Sequence, residues 1–126
     1  MSASPQLHRD LDRQAVAAKA LLRAAERLGV SARDLSDIVG ASEATLSRLK
    51  QGAAATRLSG KSYELALLFI RLYRSLDAIV GGDDRSAREW LRNPNVALGG
   101  VPLDRLRSIN GLTHVLAYLD ARRAPV

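Results

Sequence analysis

The chain has 126 residues, enough for one compact domain or two small units sharing a core and too few for most multidomain enzymes. Lys and Arg number 19 against 13 Asp and Glu, a formal charge of +6 that suits an anionic partner without requiring one. Cysteine is missing from the sequence, which excludes a disulfide framework and a thiolate metal site. Alanine, leucine and arginine dominate and aromatic residues make up only 4%, a balance that favours helices. The start has no basic-then-apolar signal pattern, and Arg71 breaks the most hydrophobic run, Leu65 to Leu72, so a cytoplasmic protein is expected.

Met1 to Asp12 is polar, contains Pro5 and shows no sustained periodicity, so a mobile tail is expected over 1–12, with His8 inert in it. From Arg13 the pattern changes. Val16, Ala20, Leu21, Ala24 and Leu28 share one helical face, and Gly29 stands at the favoured position just past the helix. Ser31 is a good N-cap for a short second helix, Asp34 favours its start, and Leu35, Ile38 and Val39 give its buried face before Gly40. Ser42 caps a third helix from Glu43 to about Gln51, with Leu46 and Leu49 turned inward and Gly52 closing it. The run LSDIVGASEATLSRLKQG thus resembles a helix-turn-helix of the Xre/Cro kind: Gly40 lies in the turn, and Leu46 and Leu49 lock the second helix against Leu35 and Val39. Ser36 stands where that motif prefers alanine.

A linker of small residues, 53–60, carries Arg57. The longest helix follows, from about Lys61 to Val80, with Leu65, Leu68, Phe69, Leu72, Tyr73, Leu76 and Ile79 forming an apolar stripe broader than one neighbour needs. It can serve as a spine between the N-terminal bundle and a C-terminal unit, and Phe69 and Tyr73 are candidates either for that internal junction or for a homodimer seam. Gly81-Gly82 breaks it, and Asp83 or Asp84 caps a short helix holding Trp90. That helix stops near Asn93, because a residue before proline is pushed out of the helical region. Residues 95–100 then form a shaped loop, with Pro102 placed to begin another helix and a last helix, from about Asn110 to Arg122, burying Leu112, Val115, Leu116 and Leu119. Trp90 is either a core anchor of this C-terminal unit or an interface residue.

Trp90-Leu91, Asn93-Pro94-Asn95, Ala97-Leu98-Gly99-Gly100, Pro102-Leu103-Asp104 and Leu106, continuing through Gly111 and Val115 to Leu119, resemble the signature of the Xre/MbcA/ParS-type antitoxin toxin-binding domain. Arg105 stands where that family has an apolar residue, and the ending DARRAPV differs from its short acidic or aromatic end. The resemblance implies an all-α protein: an N-terminal helix-turn-helix bundle (13–60) and, over 61–126, a long helix leading to a small helical toxin-binding unit. It also implies a toxin partner, a RES-type enzyme that consumes NAD, contacted through Asn95, Leu98, Gly99, Gly100, Val101, Pro102, Leu103 and Leu106. The end of the chain is a second candidate contact, because Arg122, Arg123 and the carboxylate of Val126 can enter a cleft holding acidic or phosphate-binding groups.

In the helix-turn-helix the inward Leu46 and Leu49 leave Ser42, Glu43, Ala44, Thr45, Ser47, Arg48 and Lys50 as a candidate DNA-reading face, joined by Arg57. Arg33 and Lys61 are candidates for phosphate contacts. The competing reading is a solvated helix face used only for packing or pairing. His8 and His114 have no metal-spaced companions, and neither an acid pair nor a nucleophile elbow occurs, so no cofactor is expected and an enzyme reading is poor. The expected function is an antitoxin that also represses its own operon as a homodimer, with a free-standing transcriptional regulator and a pure interaction module as the alternatives.

Overall fold

A computed structural model describes residues 4–53 and 55–123. Within them the chain forms α1 (Pro5–Leu28), α2 (Ala32–Val39), α3 (Glu43–Lys50), α4 (Gly60–Ile79), α5 (Asp84–Arg92), a 3-10 turn (Val96–Leu98), α6 (Pro102–Arg105) and α7 (Ile109–Arg123). The all-α expectation holds, and the element boundaries from Ser31 to the last helix fall within a residue or two of those read from the sequence.

The first helix is the main correction. It begins at Pro5 and not Arg13, so from that residue on the stretch expected to be a tail is helical; residues 1–3 lie outside the described residues. Local chemistry explains the early start. Ser4 is the N-cap, its hydroxyl accepting from the Leu7 N–H at 3.2 Å, and Pro5 has the φ suited to a first helical position. Gln6 and Asp10, one turn apart, are joined side chain to side chain at 3.0 Å. The buried face is also rotated from the one expected: Ala17, Ala18, Leu21, Ala24, Ala25 and Leu28 point inward, whereas Val16 is exposed. An alanine-rich helix leaves its phase open, because the small side chains on several faces all permit close approach.

Helix α4 packs against α7, α1, α2 and α5. Ala66, Phe69, Ile70, Leu72 and Leu76 are buried on it, Leu65, Leu68 and Tyr73 are half-buried, and Ile79, expected in the stripe, is exposed. Phe69 is fully buried, which places it at the internal junction and removes it as a seam residue between copies. One continuous core results: Leu46 of α3, Leu21 and Leu28 of α1, Leu72 of α4 and Leu112 and Leu119 of α7 belong to the same buried cluster. The expected division at 60/61 therefore falls at the start of a helix whose packing serves both halves.

Polar links cross the same junction. The Gln14 side-chain amide donates to the Leu58 carbonyl and accepts from the Leu58 N–H, both at 3.2 Å, holding the linker onto α1 while Leu58 is buried. Arg107 reaches Asp34 at the start of α2 at 3.0 Å. Asp120 of α7 accepts from Arg71 at 2.7 Å and from the Ser75 hydroxyl at 2.6 Å, both on α4. These satisfy the buried Ser75 and fix the angle between the two longest C-terminal helices.

Candidate nucleic-acid and partner-binding surfaces

Helix α3 is anchored by Leu46, which is buried, and Leu49, which is half-buried. Its orientation exposes Ser42, Glu43, Ala44, Ser47, Arg48 and Lys50 together, whereas Thr45, expected on the same face, is half-buried. Ser42 and Thr45 are engaged already: the Ser42 hydroxyl accepts from the Thr45 N–H at 3.0 Å and donates to the Thr45 hydroxyl at 2.9 Å. Thr45 is half-buried, so these two hydroxyls serve first as the helix cap. Arg57, Arg33 and Lys61 are exposed at neighbouring segments. The chemistry offered is an exposed helix with donors at Arg48 and Lys50 and an N-terminus capped by a serine.

The loop in the C-terminal half is locked by backbone hydrogen bonds. Asn95 N–H donates to the Gly100 carbonyl at 2.8 Å, Gly100 N–H returns to Asn95 at 3.2 Å, and the Asn95 side chain accepts from Leu98 N–H at 3.2 Å. Gly99 and Gly100 have φ of +73° and +152°, a region that side-chain-bearing residues rarely enter, so the bridge needs glycine at these two positions. Leu98 is 1% exposed, and Pro102 and Leu106 are also buried. That corrects the expectation that these three meet a partner directly: they are the plug that seats the loop on the core. Asn95, Gly100, Val101 and Leu103 are half-buried and Gly99 is exposed. Val96, which the sequence reading passed over, is 100% exposed at the tip. Its signal was present, since a β-branched apolar residue directly after Asn93-Pro94-Asn95 and three positions before Gly99 has no long helical face to join.

Trp90 is half-buried against the core and stacks on Tyr118, with ring centroids 6.1 Å apart and planes inclined by 28°. The Arg122 guanidinium sits 3.5 Å above the other component of this stack, the Tyr118 ring. Trp90 is thus an anchor of the C-terminal unit, extended outward by a cation. Arg123 donates to the Ser75 hydroxyl at 3.3 Å. Both arginines expected to project with the chain end therefore have contacts within the helical unit, and the Val126 carboxylate lies outside the described residues.

Sequence reasoning missed the two arginines of α5. Arg88 donates to the carbonyls of Arg27 (2.8 Å) and Glu26 (3.1 Å), and Arg92 to those of Leu28 (3.1 Å) and Gly29 (2.7 Å). They close the C-terminal end of α1, whose last carbonyls have no partner within the helix. A basic i, i+4 pair on an exposed helix reads as solvated charge, so only the tertiary arrangement reveals this.

The fold and these surfaces define a helix-turn-helix protein carrying a second, helical binding unit on the same core. A family model for the antitoxin Xre-like helix-turn-helix domain matches residues 8–71, and one for the antitoxin Xre/MbcA/ParS C-terminal toxin-binding domain matches residues 75–124. The chain belongs to the Xre-like antitoxins. No curated protein matches it. The two matches meet inside α4, in agreement with the spine role of that helix. No helix among the described residues is long and apolar enough to cross a membrane.

Proposed function

We propose that this antitoxin neutralises a RES-type, NAD-degrading toxin and represses its own operon by placing α3 in the major groove of an operator. The observation that carries the reading is the presence of two outward-facing surfaces on one core: the exposed residues of α3, and the locked loop of the toxin-binding half with Val96 at its tip. The RES assignment is supported by the resemblance of the Trp90 to Leu119 signature. Two copies on a two-fold operator fit the usual logic of helix-turn-helix repressors. Because Phe69 is buried, a seam between copies must use other residues.

The test is expression of the product of the neighbouring reading frame with and without this chain, reading cellular NAD and co-purification, followed by binding of the chain to its promoter DNA across salt concentrations. NAD depletion by the toxin alone, its reversal by this chain and a stable complex are expected. Full promoter binding with no effect on NAD and no complex would make the chain a free-standing regulator. Loss of salt-dependent DNA binding would reduce it to an interaction module.

A further inference from the structure

An open groove of about 610 Å³ runs between the middle of α1, from Asp12 to Ala20, and α4 from Tyr63 to Arg74, with Arg123 of α7 at its edge. Val16, 69% exposed, and Leu67, 44% exposed, face it from the two helices, over a floor that includes Ala20, Tyr63 and Ile70. Four arginines, Arg13, Arg71, Arg74 and Arg123, stand on its lining against the single carboxylate of Asp12. Asp120 already engages Arg71 at 2.7 Å and Asp10 lies 3.9 Å from Arg13, whereas Arg74 makes no hydrogen bond or ion pair among the described residues.

We infer that this groove seats a protein segment bearing carboxylates around an apolar face, supplied by the toxin; the inference rests on the antitoxin reading above. The apolar floor rewards burial of aliphatic or aromatic side chains, and the rim selects for negative charge beside them. A second copy of the chain would set four arginines against four, which opposes self-pairing through this face. Nucleic acid would satisfy the rim and leave Val16 and Leu67 without apolar partners. Arg123 closes α7, so the groove extends the matched toxin-binding half onto α1 of the helix-turn-helix half and gives a bound toxin contact with both.

The experiment co-expresses the toxin of the neighbouring reading frame with the full chain and with two variants, Arg74→Glu and Val16→Glu/Leu67→Glu, all at exposed positions. Helicity and melting temperature are checked by circular dichroism. The parent should capture the toxin, and each variant should capture it at least tenfold less while staying folded and binding promoter DNA as the parent does. Capture by both variants at the parent's level overturns the groove and leaves the antitoxin reading intact. Absence of capture by the parent overturns both. Loss of promoter binding with capture intact would make the rim a nucleic-acid contact, and a changed mass by light scattering with capture intact would make it an interface between copies; either outcome overturns the inference.

Discussion

Arg92 of α5 donates through Nη2 to the carbonyl oxygen of Gly29 at the end of α1, across 2.7 Å and 63 positions of sequence. With Arg88 it gives cationic partners to four consecutive carbonyls, from Glu26 to Gly29, at the negative end of the α1 dipole. The start of the toxin-binding half is thereby tied to the exit of the first helix of the helix-turn-helix half. A charge on α5 is part of the capping of α1.

Removing this clasp should lower stability without changing the fold. Arg92→Ala is expected to cost about 1–2 kcal/mol, from lost charge-assisted hydrogen bonds and carbonyls returned to water. Arg88→Ala should cost about 1 kcal/mol, because both of its bonds are exposed whereas one of those of Arg92 is part-buried. In chemical denaturation the midpoint should fall with an unchanged slope, and Arg→Lys at 92 should recover only part of the loss, since an ammonium cannot reproduce the fork.

A fragment from Lys61 to Val126 should fail to unfold cooperatively, because it lacks α1, against which α4 packs, and the α1 carbonyls that Arg88 and Arg92 close. Calorimetry on the fragment would show a broad transition or none. A sharp two-state transition near that of the full chain would show that the halves are energetically separate despite their common core.

Much of the fold was legible in the sequence because its punctuation is strong. Ser31, Ser42 and Asp83 cap the helices they precede, Gly29 and Gly40 take left-handed backbone, and Asn93 ends α5 before Pro94. Where the signal was weak the reading slipped. The α1 stripe is mostly alanine, so periodicity alone turns Val16 inward, and the polar stretch after Ser4 conceals a helix start that rests on one cap and one proline. At the candidate sites, residue type does not decide direction: Leu98 and Leu106, expected to meet a partner, are buried, while Val96, to which the sequence gives no role, is the exposed tip. The α1/α4 groove was not legible at all, since it depends on which face of α1 remains uncovered.

Gly111 tests the packing of the signature directly. A Cβ built there would collide with the backbone carbonyl oxygen of Arg105, at the point where α7 begins against the end of α6. Backbone cannot yield as a flexible side chain does, so Gly111→Ala should destabilise by about 3 kcal/mol or more, above the usual overpacking cost. The same change at Gly52, where a Cβ meets nothing within 4 Å, carries only the penalty of left-handed backbone, about 1–2 kcal/mol. Thermal melts of the two variants should differ accordingly.

Asp83 links α5 to pH. The Ser86 hydroxyl, donating to Asp83 Oδ2 at 2.6 Å, holds the Asp83 carboxyl below its ordinary value, aided by the N–H groups of Arg85 and Ser86. A carboxyl lowered in the folded state stabilises the fold above its unfolded pKa, and that contribution is lost as pH falls through the folded value. Asp83→Asn removes the charge at every pH. The melting-temperature gap between parent and variant should therefore be present at neutral pH and close in strong acid; a gap independent of pH would assign the cap to geometry alone.

Arg48 and Lys50 should separate reading from anchoring on α3. Both are exposed, but a guanidinium can engage a guanine edge with two donors, whereas an ammonium acts as a point charge. Arg48→Ala is expected to weaken operator binding by about 1–3 kcal/mol and to relax preference at one base position. Lys50→Ala should weaken operator and unrelated DNA alike and reduce the salt slope by about 1, as loss of one phosphate contact does. Thr45→Ala is a poor probe of reading, because the Thr45 hydroxyl accepts from Ser42 at 2.9 Å and its loss disturbs the cap. Fluorescence anisotropy on operator and scrambled duplexes at several salt concentrations distinguishes the cases. If Arg48→Ala lowers both affinities equally with a shallower slope, Arg48 is a phosphate contact and α3 reads its site through other residues.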